Sequence, residues 1–147
     1  MVITNRLREL VKKYEGCELK AYKCPAGIWT IGFGNTQYND GRSVKEGDQV
    51  TLEKANELLD VILIKFIQQV SGLVKVRLSQ NQFDALTDFA YNCGIANLKN
   101  STLLKKVNAD STDLTIRNEF EKWTRSNGKI LPGLVKRRKE EADLYFS

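Results

Sequence analysis

The chain has 147 residues, 41% of them hydrophobic and 28% charged, proportions of one ordinary globular domain that exclude a disordered or fibrous chain. Twenty-three Lys and Arg against eighteen Asp and Glu leave a net charge of +5. That favours an anionic partner, whether nucleic acid, an acidic membrane or a bacterial wall, without choosing among them. There is no histidine, which removes His-based triads, the commonest general base and most zinc sites, so no metal or cofactor is expected.

The opening residues predict a helix: Ile3, Leu7, Leu10, Val11 and Tyr14 recur at helical spacing and Gly16 supplies a stop. Arg6, Arg8, Glu9 and Lys12 occupy the positions where an export signal needs an apolar stretch, so neither secretion nor membrane insertion is expected. Six of the ten glycines then fall within the first 47 positions, mixed with Tyr22, Trp29, Ile31, Phe33 and Val44. Glycine and β-prone residues at close spacing predict short strands and turns.

From Thr51 the period becomes helical. Leu52, Ala55, Leu58, Leu59, Ile62, Phe66 and Val70 form one stripe behind a Thr51 cap, ending near Gly72. The run Val61-Ile62-Leu63-Ile64, flanked by Asp60 and Lys65, falls far short of the ~20 residues of a membrane-spanning helix. Ser79 and Gln82 have capping-box spacing, and Phe83, Leu86, Phe89, Ala90 and Cys93 follow on one face before Gly94. A short helical piece is expected around Ser101 to Val107, and a further helix opened by Ser111 or Thr112 and carrying Leu114, Ile116, Phe120 and Trp123. Gly128 and Pro132-Gly133 punctuate, and a last helix runs through Arg138, Ala142 and Tyr145. These elements describe one α+β domain over residues 1–147. It has a Gly-rich β lobe at about 15–50, a linking helix at about 51–70, and a helical lobe at about 73–147 that also takes in the N-terminal helix.

Without histidine, chemistry falls to carboxylates, thiols and hydroxyls, which are densest between Tyr14 and Gly34. Glu15 lies where the first helix ends, and the negative end of the helix dipole disfavours a carboxylate there and favours the neutral form that a general acid requires. The plain alternative is a solvated Glu before a capping glycine. Cys17, Cys24 and Cys93 are odd in number and read as free thiols; Cys17 and Cys93 read as core fillers. Trp29 and Trp123 read first as core anchors. Lys136-Arg137-Arg138-Lys139 followed by Glu140-Glu141 reads as a solvated helix face with i,i+3 and i,i+4 ion pairs.

Glu15-Gly16-x-x-Leu19-x-Ala21-Tyr22, then Gly27-x-x-Thr30-Ile31-Gly32-x-Gly34, resembles the signature of phage-type lysozymes, the endolysin muramidases of glycoside hydrolase family twenty-four. The likeness continues in order through Gln82-Phe83-Asp84-Ala85-Leu86, Phe89-x-x-Asn92-x-Gly94, Ser101-Thr102-Leu103-Leu104, Trp123 and Gly133-Leu134-x-x-Arg137-Arg138, and so covers nearly the whole chain.

The resemblance implies a lysozyme-like fold and hydrolysis of the β-1,4 bond between N-acetylmuramic acid and N-acetylglucosamine in peptidoglycan. It assigns the catalytic set to Glu15, Cys24 and Thr30. Glu15 would protonate the glycosidic oxygen, Cys24 would act across the sugar ring where many relatives have Asp, and Thr30 would hold the water. A free thiol is mostly neutral at neutral pH, and Lys20 and Lys23 are the neighbours in sequence that would favour the thiolate. A structural role for Cys24 and a plain strand role for Thr30 are the alternatives. The resemblance also places Tyr91, Asn92 and Ser101 along the saccharide cleft, with packing or capping as their alternatives. Gly32 and Gly34 support the backbone, and Arg137 or Arg138 faces Glu15. Asn35 stands where relatives often carry His.

The implied partner is a glycan strand, approached by a monomer without nucleic acid or membrane insertion. The implied setting is the host cytoplasm, with access to the wall only after a holin-type membrane lesion. Three other functions compete: a lytic transglycosylase acting on the same bond without water, a basic nucleic-acid-binding module, and an inactive glycan-binding lysozyme fold.

Overall fold

The computed structural model describes residues 2–147. Helix α1 (Asn5–Glu15) is capped by Thr4, whose hydroxyl accepts from the Leu7 amide at 3.0 Å. It buries Leu7, Leu10 and Val11 and stops at Gly16, which has a positive φ of 66°. Ile3 precedes the helix. Strands β1 (Glu18–Lys23) and β2 (Trp29–Gly32) form an antiparallel hairpin in which Tyr22 pairs with Thr30 and Lys23 with Trp29, with an irregularity between Glu18 and Tyr22. The hairpin turns through Cys24-Pro25-Ala26-Gly27. The Gly27 amide donates to the Cys24 carbonyl at 2.8 Å, and the Cys24 amide to the Ile28 carbonyl at 3.0 Å.

The long helix α2 (Leu52–Leu73) starts from a Thr51 cap that accepts from the Lys54 amide at 3.1 Å. It runs through Gly72 to Leu73. Its side chains serve both lobes: Leu58 joins Ala21, Ile31 and Val44 in the small β-lobe core, while Ala55, Leu59, Leu63, Ile67 and Val70 join the main core. The β lobe has too few apolar side chains to be stable alone, so it is built onto this helix.

Helix α3 (Gln80–Cys93) is the axis of the second lobe. Its capping box closes, with Ser79 Oγ accepting from the Gln82 amide and Gln82 Oε1 from the Ser79 amide. The sequence pattern predicts one buried face, but every residue from Phe83 to Ala90 is buried, because α1, α2, α4 (Ile95–Asn100) and α7 (Pro132–Tyr145) pack around it. Its buried polar groups are each partnered. Thr4 Oγ1 donates to Asp84 at 2.6 Å, Thr87 donates to the Phe83 carbonyl at 2.9 Å, and Asp88 receives Arg137.

Helix α5 (Thr102–Ala109) leads to a correction. The expected helix from Ser111 begins only at Ile116, as α6 (Ile116–Glu121). Asp110 Oδ1 accepts from the Thr112 amide and hydroxyl, and Asp113 Oδ1 from those of Thr115. These local bonds hold the backbone in turns instead of helix, and Leu114, placed on that expected helix, lies before it and is 78% exposed. Helix α4 and the hairpin of β3 (Arg125–Ser126) and β4 (Lys129–Ile130) were not anticipated. The latter turns on Asn127-Gly128, both with positive φ, the dipeptide a tight hairpin favours.

Phe89 anchors this lobe. Its ring meets Phe120 and Trp123 edge-on, with centroids 6.0 and 5.4 Å away, and carries the Arg138 guanidinium over its face at 5.1 Å. Phe89→Ala should therefore cost about 3–5 kcal/mol of stability in denaturant unfolding. By contrast, the exposed Leu114→Ala should stay within about 0.5 kcal/mol.

Candidate active site

Glu15 ends α1 with its side chain about one-fifth exposed. It lines a cavity of about 300 Å³ together with Tyr14, Asn92, Leu131, Gly133, Leu134 and Arg137. Arg137 Nη1 donates to Glu15 Oε2 at 2.7 Å. The carboxyl at the end of the helix thus has a guanidinium partner from α7, a residue 122 positions away in the chain. Gly34, with φ 93°, leaves the space beside it open: a Cβ there would stand 3.4 Å from Glu15 Oε1 and 3.8 Å from the Tyr91 hydroxyl.

Arg137 and Arg138 depart from the solvated-face reading. Both are buried, while Lys136 and Lys139 remain exposed. Arg137 makes a bidentate contact with Asp88, Nε to Oδ2 at 2.9 Å and Nη2 to Oδ1 at 2.8 Å. Burial opposes its charge, but Asp88 and Glu15 together raise its pKa. Arg138 turns the other way, toward Asn92 Oδ1 at 2.7 Å, Cys93 Sγ and Glu141 Oε2 at 3.1 Å. Its Nε is also 2.7 Å from Glu141 Oε1, a charge contact poorly aligned as a hydrogen bond. Of the two candidates, Arg137 is the one that faces Glu15.

On the β lobe, Cys24 and Thr30 lie at opposite ends of the hairpin turn. The Cys24 thiol is held below its ordinary pKa, first by the Ile28 backbone N–H, against a smaller opposing effect of burial, and then by the Ala26 N–H and the Thr30 hydroxyl. The expected influence of Lys20 and Lys23 is replaced by these dipoles; Lys23 Nζ lies over the Trp29 ring at 5.4 Å instead. Thr30 is buried and donates to the Ile28 carbonyl at 2.9 Å, so its single proton serves either that carbonyl or the sulfur.

Tyr22 on β1 is electrostatically close to both Glu15 and Cys24. Burial raises its pKa, and the negative charges of Glu18, Glu15 and Cys24 add to this. Neither Cys24 nor Thr30 lines the cavity beside Glu15.

The remaining candidates divide. Asn92 lines both the Glu15 cavity and an adjoining one of about 330 Å³ with Cys93, Asn97, Trp123 and Arg125. Tyr91 is a tie between lobes: its hydroxyl donates to the Phe33 carbonyl at 2.6 Å and its ring packs on Phe66. Ser101 is removed from the cleft. It is buried as the cap of α5, accepting from the Leu104 amide at 3.0 Å and donating its only proton to the Leu98 carbonyl at 2.7 Å. Gly32, with φ 68°, lies against Asn35 and Ala55, a backbone conformation suited to glycine. Asn35 is buried, with Nδ2 3.5 Å from the Leu58 carbonyl.

Among the cysteines, Cys17 is exposed and not a core filler, because it follows the capping glycine where the chain leaves α1. Cys93 is half-buried but has a polar neighbour after all in Arg138. Trp29 and Trp123 are both half-buried, the first against the β-lobe core and the second against the main core. The sequence reading missed Asp88, which stands between Thr87 and Phe89 on α3, and set Glu141 on the solvated face of α7, where the structure buries it.

The comparisons agree with this architecture. The family model described as Phage lysozyme matches residues 12–141, and the chain belongs to that family. It is 39% identical to an endolysin of Acyrthosiphon pisum secondary endosymbiont phage 1, with the match covering 100% of this chain and 99% of that protein. It is 42% identical to an endolysin of Bacillus phage B103 over 94% of this chain but 51% of the relative, so the chain spans about half the length of that protein. Among solved structures, an endolysin from Escherichia coli O157:H7 phage FAHEc1 superposes with a TM-score of 0.90 at 36% identity, covering 100% of this chain and 94% of the other.

The three thiols differ in a measurable way. Cys24 is lowered, whereas burial raises both Cys17, helped by Glu18, and Cys93, against the opposing charge of Arg138. Near neutral pH, iodoacetamide followed by peptide mass spectrometry should label Cys24 ahead of both others, and the gap should narrow as pH rises into the ordinary thiol range. Equal labelling of Cys17 and Cys24 near neutral pH would contradict the assigned role of the turn amides.

Proposed function

We propose that the chain is an endolysin-type muramidase, a glycoside hydrolase that cleaves the β-1,4 bond between N-acetylmuramic acid and N-acetylglucosamine in peptidoglycan for host lysis. The observation that carries the reading is the Glu15 carboxyl at the end of α1, lining an open cavity in a chain of the phage lysozyme family. Glu15 in its acid form gives its proton to the glycosidic oxygen as the bond to the anomeric carbon breaks. Charge then develops on the ring side of that bond, and Cys24 serves this side, as thiolate, by taking a proton from the attacking water. The Thr30 hydroxyl orients that water. Asn92 offers an amide to the N-acetyl groups of the glycan strand.

The positive net charge of +5 suits an anionic wall. The enzyme acts as a monomer on the glycan strand, with no nucleic acid among its partners. Among the described residues, no helix is long and apolar enough to cross a membrane. The enzyme is made in the host cytoplasm and reaches the wall after a membrane lesion of the holin kind.

Purified chain should clear a peptidoglycan suspension. Glu15→Gln should reduce the rate by about 10²–10⁴, the usual weight of a positioned general acid. Cys24→Asp should retain activity while Cys24→Ser loses it, since only the first keeps an ionisable group at the turn. Mass spectrometry of the released muropeptides should show addition of water; products lighter by one water would replace hydrolysis by transglycosylation.

A further inference from the structure

The Arg137 guanidinium spends two of its three nitrogens on Asp88 and the third on Glu15. Asp88 is wholly buried in α3, as is Glu141 in α7, and Asp88 lines neither the Glu15 cavity nor the one adjoining it. We infer that Asp88 is a positioning residue for the hydrolysis, fixing the Arg137 fork so that Nη1 holds the Glu15 carboxyl in its working orientation. The inference rests on the muramidase reading of Glu15.

Arginine presents its donors in a rigid plane. A carboxylate gripping Nε and Nη2 therefore fixes the direction of Nη1 as well, which a single contact to Glu15 would not do. The long Arg137 side chain has further supports: its guanidinium stacks over the Tyr14 ring at 5.4 Å, and Tyr14 donates to Glu140 at 2.7 Å. No other carboxylate replaces Asp88 in the grip, since Glu141 Oε2 stands 4.0 Å from Arg137 Nε.

Electrostatically, Asp88 also offsets the guanidinium. The ionisable groups around the pair are Glu15 and Tyr14 from α1, Tyr22 from β1, Tyr91 and Cys93 from α3, and Arg138, Glu140 and Glu141 from α7. Burial works against an Asp88 charge, but hydrogen bonds from Glu141 and Arg137 hold its pKa below the usual carboxyl range. Glu141 is pushed well above that range by burial and by the charge of Asp88. The guanidinium groups of Arg137 and Arg138 thus meet the carboxyl groups of Asp88, Glu15 and Glu141. Removing the Asp88 charge leaves the Arg137 guanidinium uncompensated beside Glu15.

The test compares wild type with D88N and D88S in pH-resolved kinetics on purified peptidoglycan, with thermal unfolding alongside. D88N should lower kcat about 10- to 100-fold, the scale of a lost orientation, with KM within about twofold of wild type. The alkaline limb of its profile should move to lower pH, and D88E should recover part of the loss. Lower stability with an unchanged kcat and pH profile would make Asp88 merely structural and overturn the inference. Should both neutral variants fail to fold, carbon-13 NMR of the wild-type carboxyls decides: Asp88 ionised throughout the active pH range supports the inference, and its protonation within that range refutes it. A wild type that does not cleave peptidoglycan would fail the muramidase reading first and remove the inference with it.

Discussion

The structure depends on a buried arginine shared between two carboxylates from different helices. Arg137 on α7 reaches Asp88 on α3 and Glu15 at the end of α1 within 2.7–2.9 Å. Burying a guanidinium is costly unless its donors are met and its charge is balanced. Here both conditions hold, and they hold only when three helices meet at one point. The same contact that makes the burial tolerable thus fixes where the C-terminal helix lies against the axis of the lobe, and it delivers Glu15 to an open cavity instead of to solvent.

On the β lobe, the setting of Cys24 is built from backbone. The peptide N–H groups of Ile28 and Ala26 lower the pKa of the Cys24 thiol, so the backbone around the turn supplies what a neighbouring lysine was expected to supply. Dipoles fixed by a hairpin need no rearrangement to stabilise a charge, in contrast to a flexible side chain. The hairpin in turn is held by α2 through Leu58 and by the Tyr91 hydroxyl on the Phe33 carbonyl. The distance between Glu15 and Cys24 is therefore governed by the packing of two lobes and not by the nine positions that separate them in the chain.

Local signals in the sequence were readable where the chemistry was local. The Thr51 cap, the capping box at Ser79 and the helix stop at Gly16 each depend on hydrogen bonds within a few residues. The reading failed where local bonds competed with each other, as at Asp110 and Asp113, whose turns displaced a helix start and left Leu114 outside the core. Where a residue had two roles open to it, only the packed structure chose: Ser101 was open to cleft lining or to capping, and its hydroxyl caps α5.

By itself, the sequence determined the order and type of the main elements, the absence of histidine chemistry, and the presence of Glu15, Cys24 and Thr30 on a helix end and a Gly-rich hairpin. Those follow from periodicity, composition and motif spacing, which are properties of neighbouring residues. Only the tertiary structure decided that Arg137 rather than Arg138 meets Glu15, that α3 is buried all round, and that Asp88 is the counter-charge behind the site. A charged residue 49 positions from its partner leaves no mark of that pairing in the chain; burial creates the need for it, and burial is settled only when the helices pack.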